Sequence, residues 1–169
     1  MNSEPLDQIE LAKKLLQTVR HVAYATVNDD GTPHNSPLML IHNEERTKLY
    51  IGSYSDARHV KNLERAGQAF VVIFDSFTKG QGGIYITGNN AHECVGEELA
   101  EAIRVHNIFR ARHGSRPIEA AYYQKPKPAQ RMYCIDVAKI EVYSVVRDEN
   151  GLIASETRVP IGATALLGQ

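Results

Sequence analysis

The sequence has none of the features that mark a protein for nucleic acid, for a membrane or for export. Its 19 lysines and arginines are matched by 20 aspartates and glutamates, so no excess of positive charge is available to hold nucleic acid. No apolar run approaches the roughly 20 residues that span a bilayer. The first seven residues, Met-Asn-Ser-Glu-Pro-Leu-Asp, lack the basic-then-apolar plan of a signal peptide. We therefore expect a cytoplasmic protein that binds neither nucleic acid nor membranes.

Cysteine is scarce, and no catalytic nucleophile stands out. The two cysteines, Cys94 and Cys134, are far apart and belong to no CxxC or Cys–His cluster. They are expected to be free thiols in a reducing compartment, with a disulfide as the alternative. A GxSxG motif is also missing, so the sequence offers no candidate catalytic residue.

Seven histidines raise the question of a metal site. No carboxylate or cysteine completes a ligand set with a histidine at a recognisable spacing. We therefore expect histidines at the edge of the core and no metal site. The seven histidines are His21, His34, His42, His59, His92, His106 and His113.

The 169 residues suit a single domain, residues 1–169, with a core of useful size. Apolar residues recur at three- and four-residue spacing in residues 5–20, which predicts an amphipathic helix over one side of the core. Residues 147–169 are expected to form a C-terminal hairpin and tail. A helix is also expected after Gly96, because acidic residues open that segment and basic residues close it.

Short strands joined by hairpin turns account for most of the remaining chain. Asn28-Asp-Asp-Gly31 and Asp148-Glu-Asn-Gly151 are typical hairpin turns, and the short loops favour antiparallel pairing. The sequence thus predicts a mainly β protein with peripheral helices (α+β), built as a split or nearly closed antiparallel β-barrel of about seven strands. The strand segments are residues 22–27, 32–41, 48–53, 68–74, 84–95, 131–137, 139–146 and 152–159.

Two prolines interrupt the second strand. Pro33 and Pro37 have no N–H to donate, so the strand is expected at a sheet edge, at a bulge, or where a ligand approaches its backbone.

The segment from Ile51 to Leu63 leaves a strand and enters a helix. Asp56 is the expected N-cap of that helix. Arg58 and His59 place cationic or imidazole groups beside its first turn, which suits a phosphate. The alternative is a strand-to-helix connection with a solvated basic face.

These segments, in this order, resemble the pyridoxamine 5′-phosphate oxidase-like, FMN-binding split-barrel family. The resemblance rests on an apolar strand at residues 22–27, a DGxP turn, and a second strand ending in a small residue and Pro37. It continues through Leu49-Tyr-Ile-Gly-Ser53, Ala57-Arg-His-Val-Lys-Asn-Leu63 and Ile84-Tyr-Ile-Thr-Gly88. It covers roughly residues 19–146.

The resemblance implies a homodimer that binds FMN in clefts between its subunits. The strand along the flavin ring would contain Ser36, Pro37, Leu38 and Met39. Gly52 and Ser53 would lie near the ribityl phosphate, Arg58 and His59 would hold the phosphate, and Gln81 or Gly83 would approach the ring.

Some positions depart from the family pattern. His59 replaces a second fixed cation, and Lys61 is the candidate to compensate for it. Ser36 and Ile41 stand where pyridoxamine phosphate oxidases carry an arginine and a lysine, and the C-terminal Arg-x-His signature is absent. The resemblance therefore implies an FMN-dependent oxidoreductase acting on another small molecule. A non-catalytic flavin module and an F420- or haem-binding relative are the alternatives.

Overall fold

The computed structural model describes residues 5–76, 82–126 and 129–167, and an eight-stranded antiparallel sheet forms its centre. The strands are β1 (His21–Val27), β2 (Pro33–Met39), β3 (Ile41–His42), β4 (Lys48–Tyr54), β5 (Ala69–Ile73), β6 (Ile84–Glu93), β7 (Gln130–Arg147) and β8 (Ile153–Ile161). The helices are α1 (Pro5–Thr18), α2 (Arg58–Ala66), α3 (Gly96–Arg112) and α4 (Ala120–Tyr123), followed by a 3₁₀ turn at Ala163–Leu166.

The sheet is curled but not closed. Its strand order is β2-β1-β5-β6-β7-β4-β3, and β8 pairs with β7 outside this path. Strands β2 and β3 are therefore its two ends, so within the described residues no ladder joins β2 to β4. This order confirms the split antiparallel barrel with peripheral helices. It also places β2 at an edge of the sheet, where the missing N–H groups of Pro33 and Pro37 are tolerated.

Two strand boundaries differ from the prediction. The predicted strand 32–41 is divided into β2 and β3. The segments 131–137 and 139–146 are one strand, β7, of 18 residues. Along β6, Thr87 pairs with Lys139 and Gly88 with Val137, so Ala138 is an extra residue in the ladder. Such a bulge shifts the inward–outward alternation without ending the strand, which is why the sequence suggested two strands.

Local turn chemistry agrees with the sequence at both predicted hairpins and at the end of α2. Gly31 and Gly151 adopt positive φ angles in the two turns. Gly67 follows α2 in the left-handed conformation, and its N–H donates to the Leu63 carbonyl at 2.7 Å.

The predicted cap of α2 is wrong. Ala57, and not Asp56, is the N-cap residue, and no side chain caps the helix. A hydrogen bond from the Ala57 N–H to the Tyr54 carbonyl turns the chain one residue later than expected.

Two clusters of buried residues make up the core. One fills the barrel beneath α1, where Ala12, Leu15 and Leu16 are buried as the helical spacing predicts. The other lies between the β3–β4–β7 side of the sheet and the α3–α4 helices, and includes Phe109 and Tyr123. None of the helices in the described ranges is long and apolar enough to cross a membrane.

Candidate cofactor site

The start of α2 is anchored firmly against the barrel. Val60 and Leu63 are buried on its inner face, as their spacing predicts. Between them, the buried Asn62 amide donates to Thr26 Oγ1 at 3.0 Å and to Asn28 Oδ1 at 3.1 Å. These bonds tie the helix to β1 and to the following turn. In the sequence, the sign of this anchor is a polar residue, Asn62, between the apolar residues Val60 and Leu63 of the inner helix face.

An open cavity of about 510 Å³ lies beside the start of α2. Both Arg58 and Lys61 are exposed there, and neither has an ion-pair partner among the residues that the structure describes. Since no side chain caps α2, its first N–H groups and the positive end of its dipole are available to a ligand. The remaining lining residues are Asn28, Asp29, Asp30, Asp56 and Asn62.

Two of the acids in this cavity have partners within the protein. Asp29 forms an ion pair with Arg65 at 2.5 Å. Asp30 accepts hydrogen bonds from the Thr32 hydroxyl at 2.6 Å and the Thr32 N–H at 3.0 Å, and these bonds lower the pKa of its carboxyl. Arg65 thus offsets the charge of Asp29, whereas the bonds from Thr32 keep Asp30 ionised near Arg58 and Lys61.

His59 bridges the split in the barrel. Its Nε2 lies 2.7 Å from Ser53 Oγ on β4, and its Nδ1 lies 3.2 Å from Ser36 Oγ on β2. Ser36 Oγ also lies 3.2 Å from His34 Nε2. One side chain thus connects the edge strand to β4, two strands that share no backbone ladder in the described part of the chain.

The surroundings of His59 favour its neutral form. Burial and the neighbouring His34 lower the pKa of His59 below its ordinary value. Since neutral imidazole has one donor and one acceptor nitrogen, one serine donates to the ring and the other accepts from it. Arg58 and Lys61 are thus the exposed fixed cations at the start of α2.

The structure brings Ser36, Ser53 and His59 together. Arg58, the residue before His59, lies on the neighbouring cavity beside α2. Pro37 lies elsewhere, on an open, mainly apolar cleft of about 380 Å³ with Ala23 and Phe74.

The other predicted positions show packing roles. The partly buried side chains of Leu38 and Met39 pack against the first and second core clusters respectively. At Gly52, an added Cβ would lie 3.2 Å from Tyr123 Oη, so the glycine makes room for that ring. Gly83 lies near Tyr85 at the start of β6, and Gln81 falls outside the described residues.

A second polar cluster, at the other end of β4, has no counterpart in the sequence prediction. Lys48 Nζ lies 3.1 Å from a Glu98 carboxylate oxygen, 3.3 Å from an Asp136 oxygen and 3.5 Å from Cys134 Sγ. His92 Nε2 lies 2.8 Å from the other Glu98 oxygen. We call these five residues the Lys48 cluster.

Three members of the Lys48 cluster, a histidine, a carboxylate and a cysteine, come together only in the fold, since no spacing in the sequence groups them. His92, Glu98 and Cys134 offer ligand atoms that all lie within 4.8 Å of one another. The Lys48 ammonium already contacts Glu98 and Cys134 there, so a fixed cation neutralises these groups from within the fold. Although burial opposes the shift, Glu98 and Cys134 raise the pKa of Lys48.

Both cysteines are free and buried, as predicted, although the fold places them side by side. A hydrogen bond between the two thiols, together with burial, raises the pKa of Cys94. Cys94 is therefore a protonated, structural thiol.

Comparison with known proteins identifies the family. The family model described as pyridoxamine 5′-phosphate oxidase matches residues 9–144. The chain belongs to this family. The match extends from α1 to the second half of β7 and includes all the residues predicted to bind the cofactor.

Solved structures with the same fold include members of this family and proteins named for other ligands. A haem-binding protein from Mycobacterium smegmatis has a TM-score of 0.64 at 18% identity, over 94% of this chain and 59% of that one. A Clostridium acetobutylicum protein of the pyridoxinephosphate oxidase family, related to general stress protein 26 of B. subtilis, has a TM-score of 0.62 at 12% identity, over 94% and 97%. An F420 reductase has a TM-score of 0.55 at 13% identity, over 76% and 94%.

At these identities the similarity establishes the fold alone. The chain spans less than two thirds of the length of the mycobacterial protein. No curated protein matches the sequence.

Proposed function

We propose that the protein is a cytoplasmic FMN-binding oxidoreductase that acts as a homodimer. The observation that carries the proposal is the uncapped start of α2, with Arg58 and Lys61 exposed on an open cavity and without ion-pair partners in the described part of the chain. A helix start of this kind is a natural phosphate site. Membership of the pyridoxamine 5′-phosphate oxidase family supports FMN as the molecule that carries the phosphate.

The chemistry of the residues present fits a phosphate group. Arg58 can donate two parallel hydrogen bonds to phosphate oxygens, and Lys61 adds a point charge. The ion pair with Arg65 offsets the charge of Asp29, one of the three acids that line the cavity. Asn62 holds the helix start in place through its bonds to Thr26 and Asn28, so the donors are positioned before any ligand binds.

His59 is proposed as a positioning residue for this site and not as a phosphate ligand. Because Ser36 and Ser53 engage both ring nitrogens, the imidazole fixes the distance between β2 and β4. The backbone of β2 beyond Ser36 would then present a fixed edge to the flavin ring. When bound, FMN would supply the hydride or electron transfer with a small substrate or NAD(P)H.

A homodimer completes the proposal. Strand β2 is an edge strand, and Pro37 and Phe74 line an apolar cleft beside it that the described chain leaves open. A second copy of the chain would cover this edge. Sedimentation equilibrium tests the assembly, and a monomer at micromolar concentration would contradict it.

The absorption spectrum of the purified protein is the first test of the cofactor. We expect a yellow protein that releases FMN on denaturation. A colourless protein that takes up no added FMN would remove the proposal. An F420 or haem chromophore would reassign the cofactor, since each has its own spectrum. Rapid flavin reduction by NADH or NADPH in a stopped-flow experiment separates an enzyme from a non-catalytic flavin module.

Substitution of Arg58 tests the site itself. We expect Arg58→Gln to weaken FMN binding by about 1–3 kcal/mol, because one charge-assisted contact to the phosphate is lost. A flavin-fluorescence titration measures the change, and Arg20→Gln is the matched control, since Arg20 is exposed and does not line the cavity. Equal affinity of Arg58→Gln and wild type would remove Arg58 from the site.

A further inference from the structure

The Lys48 cluster holds its cation among groups that are also ligands for transition metals. Lys48 Nζ lies 3.1 Å from a Glu98 oxygen and 3.5 Å from Cys134 Sγ. His92, Glu98 and Cys134 each offer one ligand atom, and these three atoms lie within 4.8 Å of one another. A thiolate sulfur, an imidazole nitrogen and a carboxylate oxygen together are a ligand set that suits zinc. The ammonium is therefore placed beside a set of potential metal ligands.

His92 is oriented in the way that metal-binding histidines are. Its Nδ1 lies 2.7 Å from the Asn90 carbonyl oxygen, which can only accept, so Nδ1 carries a hydrogen and donates it. Such a bond to a backbone carbonyl fixes the ring and leaves the other nitrogen for a metal. That nitrogen, Nε2, faces a Glu98 oxygen at 2.8 Å. In the neutral ring two acceptors would face each other there, and a proton or a metal ion between them removes the repulsion.

The surroundings of Cys134 favour its thiolate. The Cys94 thiol donates a hydrogen bond to the sulfur, and Lys48 adds a positive charge beside it. Both lower the pKa of Cys134, although burial opposes the shift. Since the thiolate is the form that binds metals, the fold prepares this sulfur as a ligand and keeps Cys94 as its hydrogen-bond donor.

Lys48 can leave its position without disturbing the sheet. It is the first residue of β4, its side chain is 35% exposed, and a flexible four-carbon stem carries the ammonium. Cys134 is fully buried, so the space that the ammonium occupies is the approach to its sulfur. Departure of the ammonium would leave the Glu98 and Asp136 carboxylates without their counter-charge. A divalent ion in the same place would supply it.

We propose that His92, Glu98 and Cys134 bind a zinc ion in exchange for the Lys48 ammonium. The ligands would be His92 Nε2, one Glu98 oxygen and Cys134 Sγ, with water in the fourth position. With zinc–ligand bonds of about 2.0–2.3 Å, the ligand atoms of a tetrahedral site are roughly 3.3–3.6 Å apart. Rotations of the partly exposed His92 and Glu98 side chains would bring the three atoms to this separation.

This site differs from the expectation of no metal site, which rested on spacing in the sequence alone. It is also independent of the proposed flavin site, because it lies at the other end of β4. Asp136 would remain outside the ligand set, where its second oxygen accepts a hydrogen bond from the Asn90 amide at 2.9 Å.

Cobalt(II) is the probe for this proposal, because a thiolate bound to Co²⁺ gives a sulfur-to-cobalt absorption band in the near ultraviolet. The full chain is freed of metals with a chelator and titrated with Co²⁺, and Zn²⁺ is then added. We expect one Co²⁺ per chain, a sulfur-to-cobalt band, and loss of the band as Zn²⁺ displaces the cobalt. Absence of this band at millimolar Co²⁺ would overturn the proposal.

Lys48→Leu tests the exchange, since it removes the ammonium and adds no ligand atom. We expect it to bind Co²⁺ roughly fivefold more tightly than wild type, because the metal no longer displaces a partly exposed ion pair. Equal or weaker binding would show that the ammonium and the metal do not compete for one place.

His92→Ala tests the ligand set with little risk to folding, because His92 is partly exposed. We expect the dissociation constant for Co²⁺ to rise about 100-fold, the upper end of the loss caused by removing a residue that only supports a ligand. His21→Ala is the matched control, since His21 is an exposed histidine of β1 outside the cluster, and it should bind as wild type does. Unchanged affinity in His92→Ala, or equal losses in the two variants, would refute the site.

Discussion

The cations near the two ends of strand β4 have different surroundings. At its first residue, the Lys48 ammonium is surrounded by the Glu98 and Asp136 carboxylates and the Cys134 thiol. Beyond its last residue, the chain turns into α2, where Arg58 and Lys61 have no ion pair among the described residues. The same strand thus carries a neutralised cation at one end and leads to free cations at the other.

This contrast separates structural charge from charge available to a ligand. The Lys48 cluster joins β4, β6, β7 and α3, so its charges are used in holding elements together. At the other end, His59 makes the structural connection through neutral hydrogen bonds, which leaves Arg58 and Lys61 with no structural task. We therefore expect substitutions at the first end to change stability, and cation substitutions at the second end to change binding.

The largest expected effect on stability comes from His59, the structural residue at the second end. We expect His59→Ala to lower the free energy of unfolding by about 2 kcal/mol, because two nearly buried serine hydroxyls lose a partner. Urea denaturation measures the change. His59→Gln, which keeps a donor and an acceptor, should recover part of the loss. A His59→Ala protein as stable as wild type would mean that the bridge across the split is not structural.

Lys48 should have a smaller effect on stability. We expect Lys48→Met to cost about 1 kcal/mol, because Lys48 and its two carboxylate partners, Glu98 and Asp136, are partly exposed and solvent screens the charges that remain. FMN affinity should stay at the wild-type value. A loss of FMN binding in Lys48→Met without a loss of stability would contradict the view that the Lys48 end of β4 serves stability and the α2 end serves binding.

Acid titration should distinguish the two ends of β4, because the contributions of His59 and Lys48 to the free energy of unfolding should disappear at different pH values. Burial and His34 lower the pKa of His59, so the unfolded chain binds a proton more readily below about pH 6.5. The stability difference between wild type and His59→Gln should therefore shrink as the pH falls below that value.

The contribution of Lys48 should persist to lower pH. Hydrogen bonds from His92 and Lys48 outweigh burial and lower the pKa of Glu98, and bonds from Asn90 and Lys48 do the same for Asp136. Stability from lowered carboxyl pKa values is present above the unfolded pKa, about 4, and is lost below it. The difference between wild type and Lys48→Met should therefore still be present at about pH 5, where the His59 difference has already shrunk. Titration of His92, whose pKa is raised by the Asn90 carbonyl and by Glu98, adds a separate change nearer pH 7. Identical profiles for the two variants would contradict the distinction.

The order of the elements could be predicted from sequence because it depends on local chemistry. Gly31, Gly67 and Gly151 each provide a conformation that ends a strand or helix, and all three act where the sequence placed them. The division of β7 into two strands was wrong because a bulge at Ala138 and a true turn both interrupt the alternation of side chains. Only the neighbouring strand distinguishes the two cases.

The candidate site was predictable only in part, for a different reason. Arg58 and Lys61 share one helix turn, so their proximity follows from spacing. Lys48, Glu98 and Cys134 lie 50 and 86 residues apart along the chain, and they meet only through the sheet order. Likewise, the Ser36–His59–Ser53 bridge depends on two strands that share no ladder in the described structure, and no local pattern encodes it.

The position of β7 has a consequence for the order in which the protein can assemble during synthesis. Strand β7 is the link in the strand order between the β2-β1-β5-β6 half of the sheet and the β4-β3 half. Until residues 130–147 have been synthesised, none of the ladders in the described structure joins these two halves. The barrel, and with it the spacing that His59 spans, therefore forms late and through contacts distant in sequence, which is the pattern of a slow-folding β protein.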